Sequence, residues 1–391
     1  MHVDVDIAIV GAGPVGLAFA QSMQGSGLRL AVLDRQPLTA LAEPAFDGRE
    51  IALTHASQRI LQELGVWQRI DPAQVSALRD AQVFNGPSLF ALRIDAQIAG
   101  VAQLGYFVPN HLIRKALFEA VQARSDVQLI GGVGVSGLRC GAERQTLQLD
   151  DGRSLTARLV VAADSRFSQT RRMMGIAAAT HDFARTMMVC RFSHELPHQH
   201  VAWQWFDQGQ TLALLPLNGQ RSNVVLTLTP EAMQAELALD DAAFSASITR
   251  RFAHRLGAMH KEGEPHTYPL VGVYAQRFVA PRFALIGDAA VGMHPITAHG
   301  FNFGLQSQQR LAEQLWLAKR RNRDLADQEF LQAYERRHRT ATWPLYQATN
   351  AIARLYTNDA APAQWLRGGA LRMAQAVQPF RKALARHLTQ T

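Results

Sequence analysis

The sequence predicts an α/β fold with a second domain built on an antiparallel sheet and a C-terminal helical region. The first observation is a strand-turn-helix-strand unit over residues 5–34, with glycines at a characteristic spacing. The second is a pair of later apolar strands, 159–163 and 283–286, which both lead to an aspartate. The third is period-two alternation over residues 181–229, which is typical of an antiparallel sheet.

The N-terminal unit has the spacing of a Rossmann-like dinucleotide-binding turn. A buried strand over residues 5–10 runs into the turn Gly11-Ala12-Gly13-Pro14-Val15-Gly16, and a helix follows. Gly11 permits the tight turn, Gly13 lets a pyrophosphate approach the backbone, and Gly16 lets the helix pack closely on the strand. Because the helix N terminus carries unpaired N–H groups, the whole turn is predicted to bind phosphate.

An acidic residue closes this unit where the motif requires one. The second strand, residues 28–33, leads to Asp34 and Arg35, and the Asp34 carboxylate can accept hydrogen bonds from ribose hydroxyls. The alternative is a Gly-rich turn that is merely a tight connection, and the position of Asp34 argues against it.

A second strand end, late in the chain, offers another binding position. The apolar run 283–286 is followed by a turn-rich stretch and a long helix, so a carboxylate and a helix N terminus come together. A cofactor with an AMP half and a separate ribityl-isoalloxazine half needs two such positions, and the pairing therefore predicts FAD. The candidate cofactor-binding residues here are Gly287, Asp288, Pro295, Gly300, Phe301 and Asn302.

A third strand end lies between these two. Residues 159–163 lead to Asp164, and Arg171 and Arg172 follow closely. An aspartate and an arginine at a strand end can bind phosphate or ribose and help to admit a nicotinamide nucleotide. A capped helix start is the structural alternative. Alongside the other two segments we favour the binding role and count Asp164 among the cofactor-binding residues.

These segments, in this order, resemble the group A flavin monooxygenases of the para-hydroxybenzoate hydroxylase type, and most closely the ubiquinone-biosynthesis hydroxylases. The resemblance covers nearly the whole chain and also includes residues 47–53, 105–112, 213–217 and 330–339. It implies that Arg49 contacts the flavin pyrophosphate and that Asn110 opens a helix near the flavin.

The resemblance implies an FAD-dependent aromatic hydroxylase that uses NAD(P)H and O2, with oxygen activated at C4a of the flavin. The substrate would be a lipophilic phenol, a ubiquinone-biosynthesis intermediate. The backbone carbonyl of Pro295 would lie beside the reacting centre. His299 would lie near the isoalloxazine edge, where it either tunes the flavin potential or hydrogen-bonds a loop carbonyl, and we favour the second role. The alternatives are a flavin hydroxylase or epoxidase of a secondary metabolite, and a flavin-bearing assembly subunit without turnover.

The sequence also departs from the family pattern. Ser165 replaces the glycine of an Asp-Gly pair, Val291 replaces a histidine, and residues 298–300 replace Gly-Gln-Gly. The substitution at Ser165 leaves the details of NAD(P)H use open and keeps the assembly subunit as an alternative.

Two further motif matches are not interpreted as sites. Residues 132–137 match the glycine pattern, but no helix follows, which indicates a hairpin or bulge. His194–His198 matches the zinc-protease pattern, but Pro197 would break the helix that such a site needs. We therefore predict no metal site.

The resemblance also divides the chain into domains. The FAD-binding domain would comprise residues 1–74, 100–180 and 276–345, the substrate domain 75–99 and 181–275, and a C-terminal helical region 346–391. Trp205, Leu214 and Pro216 are candidate substrate-pocket residues, although an ordinary core position is at least as favoured for each.

Composition is that of a globular protein: 48% of residues are hydrophobic and 18% charged, with a net charge of +8. Two cysteines, no long apolar run and no signal peptide predict a cytoplasmic protein, and no pattern indicates nucleic-acid binding. Residues 360–391 are basic with apolar residues at helical spacing. They predict either peripheral contact with the inner face of the cytoplasmic membrane or a helix packed on the flavin domain. A homo-oligomer or a quinone-biosynthesis complex is the expected assembly.

Overall fold

The computed structural model describes residues 2–86, 88, 90–295, 299–357 and 389. Its strands are β1 (His2–Val10), β2 (Leu30–Asp34), β3 (Glu50–Leu53), β4 (Ser76–Leu78), β5 (Asp80–Asn85), β6 (Ala91–Ile94), β7 (Gly105–Pro109), β8 (Val127–Gly131), β9 (Val135–Cys140), β10 (Gln145–Leu149), β11 (Ser154–Ala162), β12 (Ala178–His194), β13 (Val201–Asp207), β14 (Gln210–Pro216), β15 (Arg221–Leu228), β16 (Met259–Ala275), β17 (Val279–Ala280), β18 (Phe283–Leu285) and β19 (Val291–Gly292). Its helices are α1 (Pro14–Ser22), α2 (Leu38–Ala42), α3 (His55–Glu63), α4 (Ala96–Ala99), α5 (Asn110–Gln122), α6 (Gln169–Met173), α7 (Pro230–Leu237), α8 (Asp241–Arg251), α9 (Gly300–Arg320) and α10 (Gln328–Thr357).

The strands that the sequence marks as binding positions are parallel neighbours within one mixed sheet. β1 lies between β2 and β11, and β18 pairs with the other edge of β11. Ile9 is paired with Val161, and Val161 is paired with Ala284, all three being buried. Apolar runs of this kind fit a parallel sheet that is covered on both faces. As a result, the carboxyl ends of these strands meet at one edge of the sheet.

The second sheet has the order β19-β16-β12-β15-β14-β13-β5-β6. Its pairs are antiparallel, except that β13 runs parallel to β5. The segment 75–99 therefore contributes β5 and β6 to the sheet of residues 181–275. One face of the sheet packs on α7 and α8, where Phe192, Leu226 and Ile248 are buried together.

Side-chain caps start several of the helices. Thr54 caps α3, Thr229 caps α7 and Asp240 caps α8, each by accepting a backbone N–H of the first turn. Helix α1 begins differently, with Pro14 at its first position and no side-chain cap on Gly13 among the described residues. The first N–H groups of α1 are thus available to a ligand.

The hairpin prediction for residues 132–137 agrees with the structure, because this segment runs into β9, which pairs antiparallel with β10. The predicted boundary at 345/346 does not coincide with an element end, since α10 continues through Pro344 to Thr357. Residues 360–391, apart from 389, lie outside the described residues. Within the described ranges, no helix is both long and apolar enough to cross a membrane.

Candidate functional site

The glycine turn forms a cradle that side chains would fill. Gly11 has a φ of +108°, and a Cβ on it would lie 2.5 Å from the carbonyl oxygen of Ala163. A Cβ on Gly16 would lie 2.0 Å from the Gly11 carbonyl oxygen. A Cβ on Gly13, by contrast, would have no described atom within 4 Å, so space remains above the start of α1. The turn is therefore closely packed around Gly11 and Gly16 but open at Gly13, as a pyrophosphate site requires.

Asp34 stabilises this turn directly. Its Oδ2 accepts a hydrogen bond from the Ala12 N–H at 2.7 Å, and its Oδ1 accepts one from the Gln36 N–H at 2.8 Å. Arg35 reaches Gln169 through its guanidinium. A Cβ on Gly134 would lie 2.9 Å from Nε of Arg35, so the glycine of the discounted motif makes room for this arginine.

The Val15 side chain, in the turn after β1, packs against the residues that follow β18. It would lie 2.7 Å from a Cβ on Gly304 and 3.2 Å from one on Gly287. The Gly287 N–H also donates to Oγ of Ser307 at 2.9 Å. Gly304 and Ser307 were not singled out from the sequence. The small residues at 300, 304 and 307 on one helix face were the available signal for this close packing.

The start of α9 is tied to β3 by Asn302. The buried Asn302 side chain accepts a hydrogen bond from the Thr54 N–H at 3.1 Å and donates one to the Ala52 carbonyl oxygen at 2.8 Å. Gly300 opens α9, and Phe301 packs partly buried against the main core. His299 is buried next to Phe303, with 5.8 Å between ring centroids. Pro295 is exposed.

Arg49 and Asn110 meet at one carboxylate. Nη2 of Arg49 lies 2.5 Å from Oδ2 of Asp47, and Nδ2 of Asn110 donates to the same oxygen at 2.7 Å. Burial acts to raise the pKa of Asp47, but the charge and hydrogen bonds of Arg49 outweigh it and hold the pKa below its usual value. The Tyr268 hydroxyl donates to the Asp47 carbonyl oxygen at 2.6 Å. The second sheet therefore helps to hold Arg49 in place.

The third strand end combines a helix cap with a free carboxylate oxygen. Oδ2 of Asp164 accepts hydrogen bonds from the N–H and hydroxyl of Thr170, at 3.1 and 2.9 Å. Its Oδ1 is buried without a hydrogen-bond partner among the described residues. Ser165 adopts a φ of +86°, in the left-handed region that favours glycine. Arg166 bridges to Asp288, with Nη2 at 2.9 Å from Oδ2.

A histidine lies close to this pair. His294 is buried against Phe183, with 4.5 Å between ring centroids. Burial, together with the charges of His181 and Arg166, lowers the pKa of His294 to about 4. His294 is therefore neutral at physiological pH.

The predicted pocket residues do not lie together on the flavin side of the second sheet. Trp205 and Leu214 are buried in the core between the sheet and α8, with Ile248 and Phe252. The Trp205 Nε1–H donates to the Gly86 carbonyl oxygen at 2.9 Å. Pro216 ends β14 opposite Ser222. The predicted strands are present, but sequence could not decide which of the two sheet faces meets the helices.

The opposite face of the sheet contacts the segment that carries Arg49. Val189, Ala213 and Val225 share this face by register, and a Cβ on Gly48 would lie 2.7 Å from Cγ2 of Val189. Asn223 donates to the Gly48 carbonyl oxygen at 2.6 Å. Ala213 and Val225 are only partly buried.

The histidines of the zinc-protease pattern make hydrogen bonds to backbone groups and to a serine hydroxyl. Nδ1 of His194 bonds with the Leu196 carbonyl oxygen at 2.8 Å, and Nε2 bonds with the Ser222 hydroxyl at 2.9 Å. His198 accepts the His200 N–H at 3.0 Å through Nδ1. Both ring nitrogens of His194 are thus engaged at the ends of strands.

Comparisons with known proteins agree with this geometry. The chain matches a family model described as FAD binding domain over residues 4–349. It is 43% identical to ubiquinone hydroxylase UbiM of Neisseria meningitidis, covering 100% of this chain and 85% of the relative. It is 33% identical to ubiquinone hydroxylase UbiL of Rhodospirillum rubrum, covering 98% and 89%. The solved p-nitrophenol 4-monooxygenase PnpA from Pseudomonas putida shares the fold, with a TM-score of 0.80 at 16% identity over 99% of this chain and 98% of that one.

Proposed function

The chain belongs to the FAD-binding-domain family, and from this premise we propose that it hydroxylates the aromatic ring of a lipophilic ubiquinone-biosynthesis intermediate, using FAD, NAD(P)H and O2. The observation that carries the proposal is the meeting of three distant strand ends around one glycine cradle. The 43% identity to a ubiquinone hydroxylase along the whole chain supports the substrate class.

The residues present fit FAD. The Gly11–Gly16 turn offers open space at Gly13 and the first N–H groups of α1 for the pyrophosphate, and Asp34 lies beside it for the ribose. The buried Oδ1 of Asp164, which has no hydrogen-bond partner in the described part of the chain, is a further acceptor next to this cradle. When bound, FAD supplies the redox and oxygen chemistry of the reaction.

The chain's own residues bind, orient and exclude water. Asn302 fixes the start of α9 on β3, so that Gly300 and Phe301 are held where the second half of the cofactor is expected. Asp47 and Asn110 position Arg49 for a phosphate. We keep the Pro295 carbonyl and the buried His299 as the residues beside the reacting centre.

The substrate would lie against the partly buried face of the second sheet. Ala213, Leu215 and Val225 offer an apolar surface there, which suits a prenylated ring and keeps water from the reaction. A substrate of this kind resides in a bilayer, and we propose a cytoplasmic protein that makes peripheral contact with the inner face of the membrane. We further propose that it works as a homo-oligomer or within a quinone-biosynthesis complex.

The test is oxidation of NADH and of NADPH by the purified yellow protein, with and without candidate phenols. Substrate-stimulated oxidation and a product heavier by one oxygen atom support the proposal. Quinone profiling in a strain that lacks this protein would identify the ring position from the precursor that accumulates. Bound flavin that neither nicotinamide reduces would contradict the proposal.

A further inference from the structure

A groove lined by arginines runs between α3, α9 and α10, outside the flavin cradle. It consists of two adjoining hollows of about 380 and 510 Å³, which share Arg310, Arg337 and Ala341. Ile60 and Phe303 form an apolar wall of the smaller hollow. The groove is therefore large enough for a charged headgroup together with some apolar surface.

The groove carries excess positive charge. Arg59, Arg310, Arg336 and Arg337 line it, and Glu313 is the acid among its described lining residues. Glu313 is already paired with Arg337. No salt bridge within the described part of the chain involves the other three arginines, so their charges favour an anionic ligand.

Arg310 is held in the groove by neutral partners. Its Nη1 lies 2.7 Å from Nδ1 of His338, and its Nη2 donates to Oε1 of Gln306 at 3.0 Å. Burial and the charge of Arg310 lower the pKa of His338 to about 3, so this histidine is neutral and accepts the hydrogen bond. Arg310 is thus oriented without being neutralised. A partly desolvated guanidinium of this kind is stabilised by a bound anion.

The same face of α10 continues to an exposed tryptophan. Arg336, Thr340 and Trp343 are spaced as i, i+4 and i+7, and therefore lie on one side of the helix. Trp343 is 45% exposed, and its ring packs on Tyr274 with 4.9 Å between ring centroids. Tryptophan beside arginine is the combination that proteins place at the headgroup level of a bilayer.

We propose that this groove binds the phosphate of an anionic phospholipid headgroup and docks the protein on the membrane through α10. Arg59, Arg310 and Arg336 recognise the phosphate. The apolar wall accepts the glycerol region, and Trp343 enters the interface. This inference rests on the proposed function, because a lipophilic substrate would be taken from the same membrane.

The test is co-sedimentation of the FAD-loaded, full-length protein with vesicles of phosphatidylcholine, with or without phosphatidylglycerol. We expect binding only when phosphatidylglycerol is present. The double variant Arg59→Gln/Arg336→Gln removes two exposed groove charges and leaves Arg310 in place. Its partition onto the anionic vesicles should fall about 25-fold, at roughly 5-fold for each arginine near the surface.

The matched control is Arg29→Gln/Arg139→Gln, which removes the same charge from exposed positions that do not line the groove. It should bind like the parent protein. Equal binding by the groove and control variants would overturn the proposal. A second pair of results would also overturn it. In that case phosphatidylglycerol has no effect on vesicle binding, and inorganic phosphate at matched ionic strength raises the melting temperature of the parent protein but not of the groove variant. That outcome would assign the groove to a soluble phosphate.

The vesicle measurement needs no turnover, and it is therefore independent of the proposed reaction. NAD(P)H oxidation with a water-soluble phenol is measured in parallel, and the groove variant should retain the parent rate. If the parent protein binds anionic vesicles but hydroxylates no phenol, the proposed function fails while the groove proposal stands.

Discussion

Arg191 and Glu50 form a buried ion pair across the boundary between the flavin-binding segment and the second sheet. Nε and Nη2 of Arg191 both donate to Oε1 of Glu50, at 3.0 and 2.5 Å. The Glu50 side chain is 0% exposed, and its Oε2 has no hydrogen-bond partner among the described residues. Arg191 also stacks on Phe46, with Cζ 4.4 Å from the ring centroid. The pair thus joins β12 to the strand that follows Arg49.

This pair predicts a specific pH dependence of stability. Burial raises the pKa of Glu50, against the opposing charge of Arg191, so the folded protein holds this proton more tightly than the unfolded chain. The stability from the protonated carboxyl is therefore complete below the unfolded pKa and is lost as pH rises through the folded pKa. The variant Glu50→Gln has no carboxyl group at this position, so this pH-dependent loss of stability is absent from it. Denaturant unfolding measured from acidic to neutral pH should show the free energy of unfolding of the variant rising relative to that of the parent. Parallel plots of this free energy against pH would contradict the role assigned to Glu50.

The left-handed backbone at Ser165 predicts a stabilising substitution. A residue with a Cβ pays about 1 kcal/mol in this region, whereas glycine does not. Ser165→Gly should therefore raise the free energy of unfolding by up to about 1 kcal/mol. Ser165→Ala keeps the Cβ and removes only the hydroxyl, so it should bring no gain. Chemical denaturation of both variants checks this, and equal stabilisation by alanine would exclude backbone strain as the cause.

Alanine substitutions at two glycines of the turn are predicted to affect different properties of the protein. Gly16→Ala places a Cβ 2.0 Å from the Gly11 carbonyl oxygen, so it should destabilise the fold even without flavin. Gly13→Ala meets nothing within 4 Å, so the flavin-free protein should unfold like the parent. Its flavin affinity should nevertheless fall, because the methyl group occupies the space assigned to the pyrophosphate. Melting curves and flavin titration separate the two effects. Unchanged flavin affinity in Gly13→Ala would contradict the assignment of the pyrophosphate to this turn.

Two adjacent leucines test which sheet face binds substrate. Leu214 is fully buried against α8, and Leu214→Ala should cost about 3 kcal/mol of stability. Leu215 points to the other face and is only partly buried, so Leu215→Ala should change stability less and raise the KM for a phenol. Unfolding and steady-state kinetics check both. If Leu214→Ala raised KM in a protein as stable as the parent, the pocket would return to the face first predicted.

Most of the cofactor cradle was accessible from sequence, because its chemistry is carried by backbone turns with strict local requirements. Gly11, Gly16 and Asp34 have roles that depend on spacing. In the structure Gly16 packs against the Gly11 carbonyl, and Asp34 accepts the Ala12 N–H between them. The contacts that depend on distant packing were not accessible. Neither the ion pair of Arg191 with Glu50 nor the close approach of Val15 to Gly304 leaves a local pattern. The face of a strand is likewise undetermined until its helix is placed, which explains Trp205 and Leu214.

The sheet order has a consequence for biosynthesis. β11 is flanked by the first strand of the chain and by β18, which the ribosome delivers much later. An emerging N-terminal portion therefore exposes an unpaired parallel edge and only part of the nucleotide site, a state that is slow to resolve and prone to aggregate. In the proposed cofactor site, the residues that would hold the second half of the flavin belong to α9, so they are synthesised after most of the chain.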